Sequence, residues 1–343
     1  MIRVAINGFG RVGRAFARLA SVAPDLEIVA INDPAPGDNL AYLLKYDSVH
    51  GRFNQDVRAI PGGLLINEKR IRVYGRRMPL PLPWRKHKPE VVIEATGRFT
   101  SPFWARSHRL AGAKRVLITA IPSGAEAHRV PMYVVGLNDR QYSGEPVISG
   151  SSCTVNCAGP VIKVLHEAFG LEKGVMTCVH AYTRDQELLD GVHHREWRRG
   201  RAAGVNIVPG RSGAAKALSA MIPGLKGRLE SSTIRVPVPD GSLLNIVCTF
   251  RSAVTEEEVN KVIRDKAEDE LKGVVGCASA PLVSADLTND LHSAVFDPSL
   301  TCVLKDNLVR VACWFDHEYG YAARLLDLVR LTCSSGAGGR SPR

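Results

Sequence analysis

Cys153 is the residue whose position in this 343-residue sequence most directly suggests covalent chemistry. It lies in the segment ISGSSCTVNCAGPVIKVLHEAFG (148–170), whose apolar residues from 160 onward recur at helical spacing and predict a helix with one buried face. Near the start of such a helix, exposed backbone N–H groups and the helix dipole favour an anion, which shifts a thiol toward the reactive thiolate. Cysteine is also among the most often buried residue types, so a structural role for Cys153 is the alternative.

A glycine-rich turn near the start of the sequence predicts a phosphate-binding loop. The segment INGFGRVG places Gly8, Gly10 and Gly13 in the pattern G-x-G-x-x-G, after a strand-like run and before a helical one. Asp33 ends the second strand-like run, 20 residues beyond Gly13. This combination predicts a dinucleotide site, with the pyrophosphate over the helix N-terminus and Asp33 accepting from the ribose hydroxyls. The alternative for Asp33 is a turn residue before Pro34.

The elements that must position these residues follow two patterns. Strand-like and helical segments alternate through the first 150 residues, which predicts a parallel, doubly wound sheet. In the second half, STIRVPVPDGSLLNIVCTFRS (232–252) is typical of long strands in a broad antiparallel sheet. The predicted fold class is therefore α/β, with a Rossmann-type doubly wound sheet plus an α+β catalytic domain that has a broad, mostly antiparallel sheet.

Domain boundaries follow from the same patterns. We predict a dinucleotide-binding Rossmann domain over 1–152, completed by a C-terminal helix at about 317–334, and a catalytic domain over 153–316. The tail 335–343 is predicted to be disordered. Thr255 and Glu258 have the spacing of a capping box and predict the start of a further helix.

Composition favours a globular protein with anionic ligands. Apolar residues make up 45% of the chain, which is ordinary for a globular protein. No segment is apolar enough to span a membrane, and the N-terminus runs directly into a strand-like pattern with no signal-peptide pattern. We therefore expect a cytoplasmic protein. The eight cysteines form no C-x-x-C pair, so we expect reduced thiols and no metal site. A net charge of +11, densest in HHREWRRGR (193–201), suits phosphate esters, dinucleotides or nucleic acid. A non-catalytic nucleic-acid-binding protein is therefore the alternative from another functional class.

Ten motifs, in order along nearly the whole chain, resemble those of the type I phosphorylating glyceraldehyde-3-phosphate dehydrogenases. They are INGFGRVGR, KYDSVHGRF, EATGRF, SSCTVNC, VHAYTRDQ, RAAGVNIVP, GAAKAL, RVPVP, PLVSADL and WFDHEYGY. The resemblance implies a homotetrameric enzyme of glucose metabolism (glycolysis) that uses NAD, a phosphorylated aldehyde and inorganic phosphate. It implies no need for nucleic acid or a membrane.

The resemblance also assigns catalytic roles. It implies that Cys153 is the nucleophile and that His180 is its partner base. A thiolate attacks the aldehyde to give a thiohemiacetal, the histidine removes the hydroxyl proton, and hydride passes to the nicotinamide. Inorganic phosphate then cleaves the resulting thioester to an acyl phosphate, 1,3-bisphosphoglycerate. The backbone N–H of Cys153 is expected to stabilise the developing oxyanion.

Two groups of binding residues are implied by the resemblance. The two anion sites, for the substrate phosphate and the attacking phosphate, consist of Ser152, Thr154, Thr183, Arg199, Ser212, Gly213 and Arg235. The cofactor site consists of Gly8, Gly10, Arg11, Val12, Gly13, Asp33, Thr96, Thr119, His317 and Tyr321.

Three departures from the family pattern leave alternatives open. The phosphate loop PGRSG (209–213) has Gly210 and Arg211 where the family has hydroxyl residues, and this change keeps an erythrose-4-phosphate dehydrogenase or an arsenate-using relative as alternatives. His317 replaces an asparagine that holds the nicotinamide carboxamide, so we predict weaker binding of NAD below about pH 6.5, where imidazole is protonated. Gly191 and Val192 replace residues that help to exclude NADP, although Asp33 still favours NAD.

Overall fold

The computed structural model describes residues 1–80, 82–194, 196–305 and 307–334. The predicted disordered tail, 335–343, lies outside the described residues. The chain divides into two compact units, one formed by residues 1–152 together with those from 322 onward, and the other by residues 153–321. Each unit has its own sheet.

The first unit is built on a sheet in the order β3-β4-β5-β2-β1-β6-β7-β8. The run of strands from β5 to β8 in that order is parallel, whereas β3 and β4 pair antiparallel at one edge. The predicted parallel, doubly wound sheet is therefore confirmed. Its elements are β1 (Ile2–Asn7), α1 (Arg11–Val22), β2 (Leu26–Asn32), α2 (Gly37–Lys45), β3 (Val57–Ile60), β4 (Gly63–Ile66), β5 (Lys69–Tyr74), β6 (Val91–Glu94), α3 (Pro102–Leu110), β7 (Arg115–Ile118) and β8 (Val147–Ser149), with short 3₁₀ turns at Trp84–Lys86, Ala127–Arg129 and Asp139–Gln141.

The central strands of this sheet are apolar on both faces. All four residues of β6 are buried, as are the last five of β2, which is the pattern of parallel strands covered by helices on both sides. Helix α1 contributes Phe16, Ala17 and Ala20 to this core. Such burial holds the strand ends rigidly, and the candidate cofactor residues follow the carboxyl ends of these strands.

The second unit has a broad sheet in the order β10-β11-β9-β12-β16-β14-β13, with β15 paired to β16. Most pairs are antiparallel, as predicted, but β9 pairs parallel with β11, and β13 with β14. Its elements are α4 (Cys153–Phe169), β9 (Leu171–Ala181), β10 (Val208–Arg211), α5 (Ala214–Met221), β11 (Leu229–Val236), β12 (Ser242–Phe250), α6 (Glu256–Glu268), β13 (Val275–Cys277), β14 (Ala294–Phe296), β15 (Cys302–Leu304) and β16 (Leu308–Phe315), with 3₁₀ turns at Trp197–Gly200, Pro223–Leu225, Ser284–Leu287 and Pro298–Leu300.

Alternation along β12 explains why this sheet has one covered face. Every second residue from Ser242 to Phe250 is buried, which is the period of two expected for an antiparallel strand with one face on the core. Helix α6 begins with the predicted capping box, because the Thr255 hydroxyl accepts from the Glu258 N–H at 3.2 Å and Glu258 Oε2 accepts from the Thr255 N–H at 2.8 Å.

The last helix, α7 (Tyr319–Ser334), returns the chain to the first unit, to which its residues from 322 onward belong. Arg330 on α7 forms a double contact with the carboxylate of Asp25, at 2.8 and 3.0 Å. A bidentate pair of this kind fixes both distance and orientation. Among the helices of the described residues, none combines the length and the apolar character needed to cross a membrane.

Candidate active site

The predicted nucleophile and base lie together in the second unit. Cys153 is the first residue of α4, and His180 is the next-to-last residue of β9. The Cys153 Sγ atom lies 3.6 Å from His180 Nε2, within hydrogen-bonding range for a sulfur atom. A thiol at this distance can pass its proton directly to the imidazole, which is the arrangement that nucleophilic catalysis requires.

The second ring nitrogen of His180 lies close to a hydrogen-bond acceptor and to a hydrogen-bond donor. Its Nδ1 lies 2.7 Å from the Ala181 carbonyl oxygen and 2.8 Å from Nη1 of Arg235. Arg235 reaches this position because β11 pairs parallel with β9 in a register that places Arg235 opposite His180. The carbonyl favours a proton on Nδ1, whereas the Arg235 N–H, which can only donate, favours a lone pair there. Because Arg235 Nη1 also lies 3.2 Å from the Ala181 carbonyl oxygen, it can donate to that oxygen and leave the proton on Nδ1, so that the lone pair of Nε2 can accept from Cys153. That tautomer is the one competent to act as a base.

Burial and nearby charges shift the pKa values of both members of this pair. Burial raises the pKa of the Cys153 thiol, and the nearby Arg235 and the backbone N–H groups only partly offset that rise. The pKa of His180 is held well below its ordinary value, first by burial and then by the charges of Arg235, His317 and Arg199. The position at the helix start alone predicts a thiolate. Burial acts in the opposite direction by raising the pKa of the thiol, so a thiolate at Cys153 stays a prediction.

Three of the predicted anion-binding residues converge beside His180. Arg235 donates from Nη1 to the Thr183 hydroxyl at 3.4 Å, and the Thr183 hydroxyl donates to the carboxylate of Asp185. Arg199 forms an ion pair with the same carboxylate. Burial opposes ionisation of Asp185, but these donors hold its pKa below the ordinary value. The sequence patterns do not single out Asp185, although it stands two residues after Thr183 in the quoted motif VHAYTRDQ.

The remaining predicted anion residues lie at helix starts. Ser212 accepts from the Ala214 N–H at 3.2 Å, and Gly213 immediately precedes α5. Ser152 directly precedes α4, and the hydroxyl of Thr154 lies 3.9 Å from Cys178 Sγ. Ser212 and Gly213 follow directly after β10, which pairs with β11, the strand that carries Arg235. A second anion site at these residues stays a prediction.

In the first unit, the three motif glycines have different roles. A Cβ atom at Gly8, whose φ is +93°, would meet the Thr96 N atom at 2.7 Å, and one at Gly13 would meet the Gly8 carbonyl oxygen at 2.2 Å. A Cβ at Gly10 would meet no described atom within 4 Å. Gly10 also immediately precedes α1, and no side chain among the described residues caps that helix end. The space over the α1 N-terminus therefore fits a pyrophosphate group; Arg11 and Val12 form the first turn beneath it.

Asp33 connects the glycine loop to the end of β2. Its Oδ2 accepts from the Phe9 N–H at 2.8 Å, and its Oδ1 accepts from the Ala35 N–H at 2.9 Å. Each carboxylate oxygen can accept a second hydrogen bond, so Asp33 can hold the turn and still receive ribose hydroxyls. Both interpretations offered by the sequence are therefore compatible with its geometry.

Glu94 holds the two predicted cofactor threonines in place. Its carboxylate accepts from the Thr96 N–H at 2.9 Å, and its backbone carbonyl accepts from the Thr119 hydroxyl at 3.1 Å.

The Trp84 indole donates to His108 Nδ1 at 3.0 Å, and His108 Nε2 lies 2.9 Å from Glu94. Because an indole N–H can only donate, His108 must carry its proton on Nε2 and give it to an acceptor carboxylate. Glu94 and His108 are not found by the sequence patterns, although EATGRF contains a glutamate that ends an apolar strand.

The structure brings His317 to His180. The two ring centroids are 5.0 Å apart, and His317 Nδ1 lies 2.8 Å from an oxygen of Asp240. Tyr321 is buried in the same unit, and burial raises its pKa well above the ordinary value. Contact of His317 or Tyr321 with the nicotinamide stays a prediction.

Comparison with known proteins decides the family. Residues 2–102 match the model of the glyceraldehyde 3-phosphate dehydrogenase NAD binding domain, and residues 152–317 match that of the C-terminal domain. The chain is 44% identical over 331 residues to glyceraldehyde-3-phosphate dehydrogenase 2 of Bacillus subtilis, covering 96% of each chain. It is 43% identical over 328 residues to glyceraldehyde-3-phosphate dehydrogenase A of Escherichia coli, covering 96% of this chain and 98% of the relative. It is also 42% identical over 336 residues to glyceraldehyde-3-phosphate dehydrogenase 3 of Kluyveromyces marxianus, covering 98% and 100%.

The chain belongs to the glyceraldehyde-3-phosphate dehydrogenase family. The resemblance and the Rossmann-type fold class predicted from the sequence are thereby confirmed, as are NAD as the cofactor and oxidoreductase activity. In this member of the glyceraldehyde-3-phosphate dehydrogenase family, Gly10 leaves the N-terminus of α1 open and the Asp33 carboxylate can accept further hydrogen bonds, so both residues fit their predicted contacts with a dinucleotide.

Replacing Asp33 with asparagine is expected to lower the ratio of kcat/KM for NAD to kcat/KM for NADP by about tenfold or more. The carboxylate repels a 2′-phosphate, whereas the amide removes the charge and keeps an oxygen that accepts from the loop. The measurement is the ratio of kcat/KM for the two cofactors in the wild type and in Asp33→Asn. The exposed Asp38→Asn on α2 serves as the matched control, since it removes a charge outside this turn. A wild type that already prefers NADP would contradict this role of Asp33.

Proposed function

We propose that this chain oxidises glyceraldehyde 3-phosphate with NAD and inorganic phosphate to 1,3-bisphosphoglycerate, as a step of glycolysis. The observation that carries the proposal is the Cys153–His180 contact at 3.6 Å, with the guanidinium of Arg235 beside the same imidazole. A nucleophile, its base and an anion-binding cation are thus held within one unit. The thiol and its base suit the aldehyde group of a phosphorylated aldehyde, and the guanidinium suits its phosphate.

The first step joins the aldehyde to the thiol. The Cys153 Sγ atom forms a bond to the aldehyde carbon while its proton passes to His180 Nε2 and from there to the carbonyl oxygen, giving a thiohemiacetal. The Ala181 carbonyl supports this transfer, since it holds the proton of Nδ1 and keeps Nε2 directed at the sulfur. The backbone N–H of Cys153, at the first position of α4, can stabilise the negative oxygen as it forms.

Oxidation and phosphorolysis use the same two side chains. When bound, NAD supplies an acceptor for the hydride of that carbon. His180 Nε2 takes the hydroxyl proton as the carbon–hydrogen bond breaks, which leaves a thioester on Cys153. A phosphate oxygen then bonds to the thioester carbon, the carbon–sulfur bond breaks, and the sulfur regains a proton from His180. The acyl phosphate leaves, and Cys153 and His180 return to their starting state.

Arg199 can bind an anion while it keeps its ion pair with Asp185. A guanidinium carries five N–H donors, and the Asp185 carboxylate occupies only part of that set. The Thr183 hydroxyl and Arg235 lie in the same group, so one phosphate can receive donors from three side chains. Ser212 and Gly213 at the start of α5 provide the second anion site in this proposal.

Replacing Arg199 or Arg235 with alanine is expected to lower kcat/KM for glyceraldehyde 3-phosphate by one to two decades. Loss of a charged hydrogen-bond partner costs about 1.5–3 kcal/mol, and about 1.4 kcal/mol corresponds to a tenfold change in rate. Unphosphorylated glyceraldehyde should be affected far less, because it lacks the bound group. Steady-state kinetics with both aldehydes and with varied phosphate provide the measurement.

The control for this prediction is Arg201→Ala. Arg201 pairs with Asp190 in an exposed salt bridge, which contributes little to stability or binding. Equal losses on both aldehydes in the Arg199 and Arg235 variants would indicate misfolding and would count against the anion-binding role.

The proposed function is tested by NADH formation with purified protein. The assay compares glyceraldehyde 3-phosphate with erythrose 4-phosphate, NAD with NADP, and phosphate with arsenate. We expect the fastest reduction with glyceraldehyde 3-phosphate, NAD and phosphate. Preference for erythrose 4-phosphate, or a strict requirement for arsenate, would replace this function with one of the two alternatives that the altered loop 209–213 leaves open.

A nucleic-acid-binding role receives less support from the densest basic segment. Among its described arginines, Arg198 pairs with Glu196, Arg199 with Asp185 and Arg201 with Asp190. Cations already paired with carboxylates present a weaker field to a phosphate backbone than unpaired ones.

We propose a homotetramer located in the cytoplasm. Exposed apolar side chains between residues 188 and 207 support self-association, because several large apolar side chains exposed within one segment are typical of an interaction site. These side chains are between 70% and 85% exposed: Leu188, Leu189, Val192, Trp197, Val205 and Ile207. Light scattering on the purified protein tests the oligomeric state, and cell fractionation tests the compartment. The cytoplasm is reducing, so it can maintain the Cys153 thiol that the reaction needs.

A further inference from the structure

Asp185 is a carboxylate that lies among the predicted anion-binding side chains. It stands two residues after Thr183, whose hydroxyl donates to it, and it forms an ion pair with Arg199. Arg235 donates from Nη1 to the same hydroxyl at 3.4 Å. The side chain of Asp185 is 40% exposed and that of Arg199 is 27% exposed, so a solute can reach both. An acidic side chain therefore uses donors that a bound phosphate group would need.

The surroundings of Asp185 favour its ionised form. Burial opposes ionisation, but the hydrogen bond from Thr183 and the charges of Arg235 and Arg199 outweigh burial and lower the pKa of Asp185 below its ordinary value. An aspartate with a pKa in that range is negatively charged at neutral pH. The two guanidinium groups and this carboxylate together carry two positive charges and one negative charge, which leaves one net positive charge for a ligand.

Donors beside Asp185 remain available to a ligand. Gln186 is 9% exposed, and its Oε1 accepts from the Thr183 N–H at 3.4 Å. Its Nε2 is buried and has no hydrogen-bond partner among the described residues, and the same holds for Nε of Arg235. Because a buried donor without an acceptor is costly, these two groups fit a site in which a ligand supplies the acceptor. Asp185 is thus a negative charge beside donors that suit an anion.

We infer that Asp185 is a specificity-determining residue that competes with the substrate's phosphate group for Arg199 and Thr183. The inference rests on the proposed function, in which these donors bind a phosphate. A phosphate that enters this site shares their donors with a carboxylate of like charge, and like charges held close together repel. An unphosphorylated aldehyde meets no such repulsion. Asp185 therefore weakens the preference for phosphorylated over unphosphorylated aldehydes and lets a phosphorylated product leave more readily.

A role of Asp185 in positioning Arg199 alone predicts a different result. Asparagine has an amide oxygen, so Asp185→Asn keeps an acceptor for the surrounding donors while it removes the charge. If Asp185 only held Arg199 in place, this variant would bind a phosphate ester as tightly as the wild type does, or less tightly. Competition between the carboxylate and the phosphate predicts tighter binding.

The test is the dissociation constant for glycerol 3-phosphate, a phosphate ester without an aldehyde, measured by isothermal titration calorimetry in the absence of NAD. In Asp185→Asn this constant should fall about threefold to tenfold, as expected when one charge is removed from a partly exposed site. Asp185→Ser should behave in the same way, and thermal unfolding checks that both variants are folded. In steady-state kinetics, KM for glyceraldehyde 3-phosphate should fall by a similar factor, whereas KM for unphosphorylated glyceraldehyde should not change.

Asp190→Asn is the matched control, because Asp190 forms an exposed ion pair with Arg201 in the same segment of the chain. It should leave the dissociation constant unchanged. A folded Asp185→Asn variant with an unchanged or higher dissociation constant would overturn the inference, and so would the absence of binding in the wild type and in every variant. Because calorimetry needs no turnover, tighter binding without any NADH formation would contradict the proposed function and still support the inference.

Discussion

Replacing Cys153 with serine is expected to lower kcat by about a thousandfold or more, because a hydroxyl neither ionises nor attacks as readily as a thiol. In the wild type, iodoacetamide should inactivate the enzyme with one label per subunit. Peptide mapping should find that label on Cys153, whose sulfur is 3.6 Å from His180. Mass spectrometry and residual activity, followed on the same samples, provide the measurement.

Cys157 is the matched control for this result. It lies one turn further along α4, it is buried, and burial, together with its contact with Cys313, raises its pKa well above the ordinary value. Cys157→Ser should therefore retain activity and remain sensitive to iodoacetamide. Inactivation accompanied by label mainly on Cys157 would rule out the assignment of Cys153 as the nucleophile.

Replacing His180 with asparagine is expected to lower kcat by about 10²–10⁴, the usual contribution of a positioned acid–base group. The pKa of His180 is depressed, and only its neutral form can accept a proton. Activity of the wild type should therefore persist below about pH 6.5, the ordinary histidine value, and fall only at lower pH. In His180→Asn this fall should disappear together with most of the activity. The pH dependence of kcat/KM provides the measurement.

His292→Asn provides the control, since it removes a histidine paired with Asp290 on the same unit. A fall in activity at low pH that survives in His180→Asn would mean that another group titrates there. Asp185 and Asp240 are two carboxylates of the same unit whose pKa values are shifted, and titration of either would contradict the His180 assignment.

Local patterns were sufficient to predict much of this molecule. The glycine spacing around Gly10 and the strand before it depend on backbone sterics within a dozen residues, so they can be predicted from sequence alone. The same holds for the capping box at Thr255 and Glu258. Helical periodicity from residue 160 onward predicted the helix α4, with Cys153 near its N-terminal end.

What could not be predicted depends on pairing between distant segments. Arg235 touches His180 because β11 runs parallel to β9, and the sequence predicted antiparallel pairing for that region. Asp185 belongs to the site because Arg199 forms an ion pair with it in the folded chain. The rise in the pKa of Cys153 comes from burial by other parts of the fold, which no local sequence pattern predicts. His317 was assigned from resemblance alone, and its partner Asp240 lies 77 positions earlier in the chain.

The return of α7 to the first unit has a consequence for synthesis. Residues 1–152 leave the ribosome long before residue 322 is added, and at about 5–20 residues per second the interval is roughly ten to thirty seconds. During that time Asp25 lacks Arg330, and the apolar surface that α7 covers in the finished unit is open. The second unit is continuous in sequence and ends at residue 321, so it is complete before the part of α7 that belongs to the first unit is added. The nucleotide-binding half is therefore the last part to mature, and it is the half that chaperones would be required to shield.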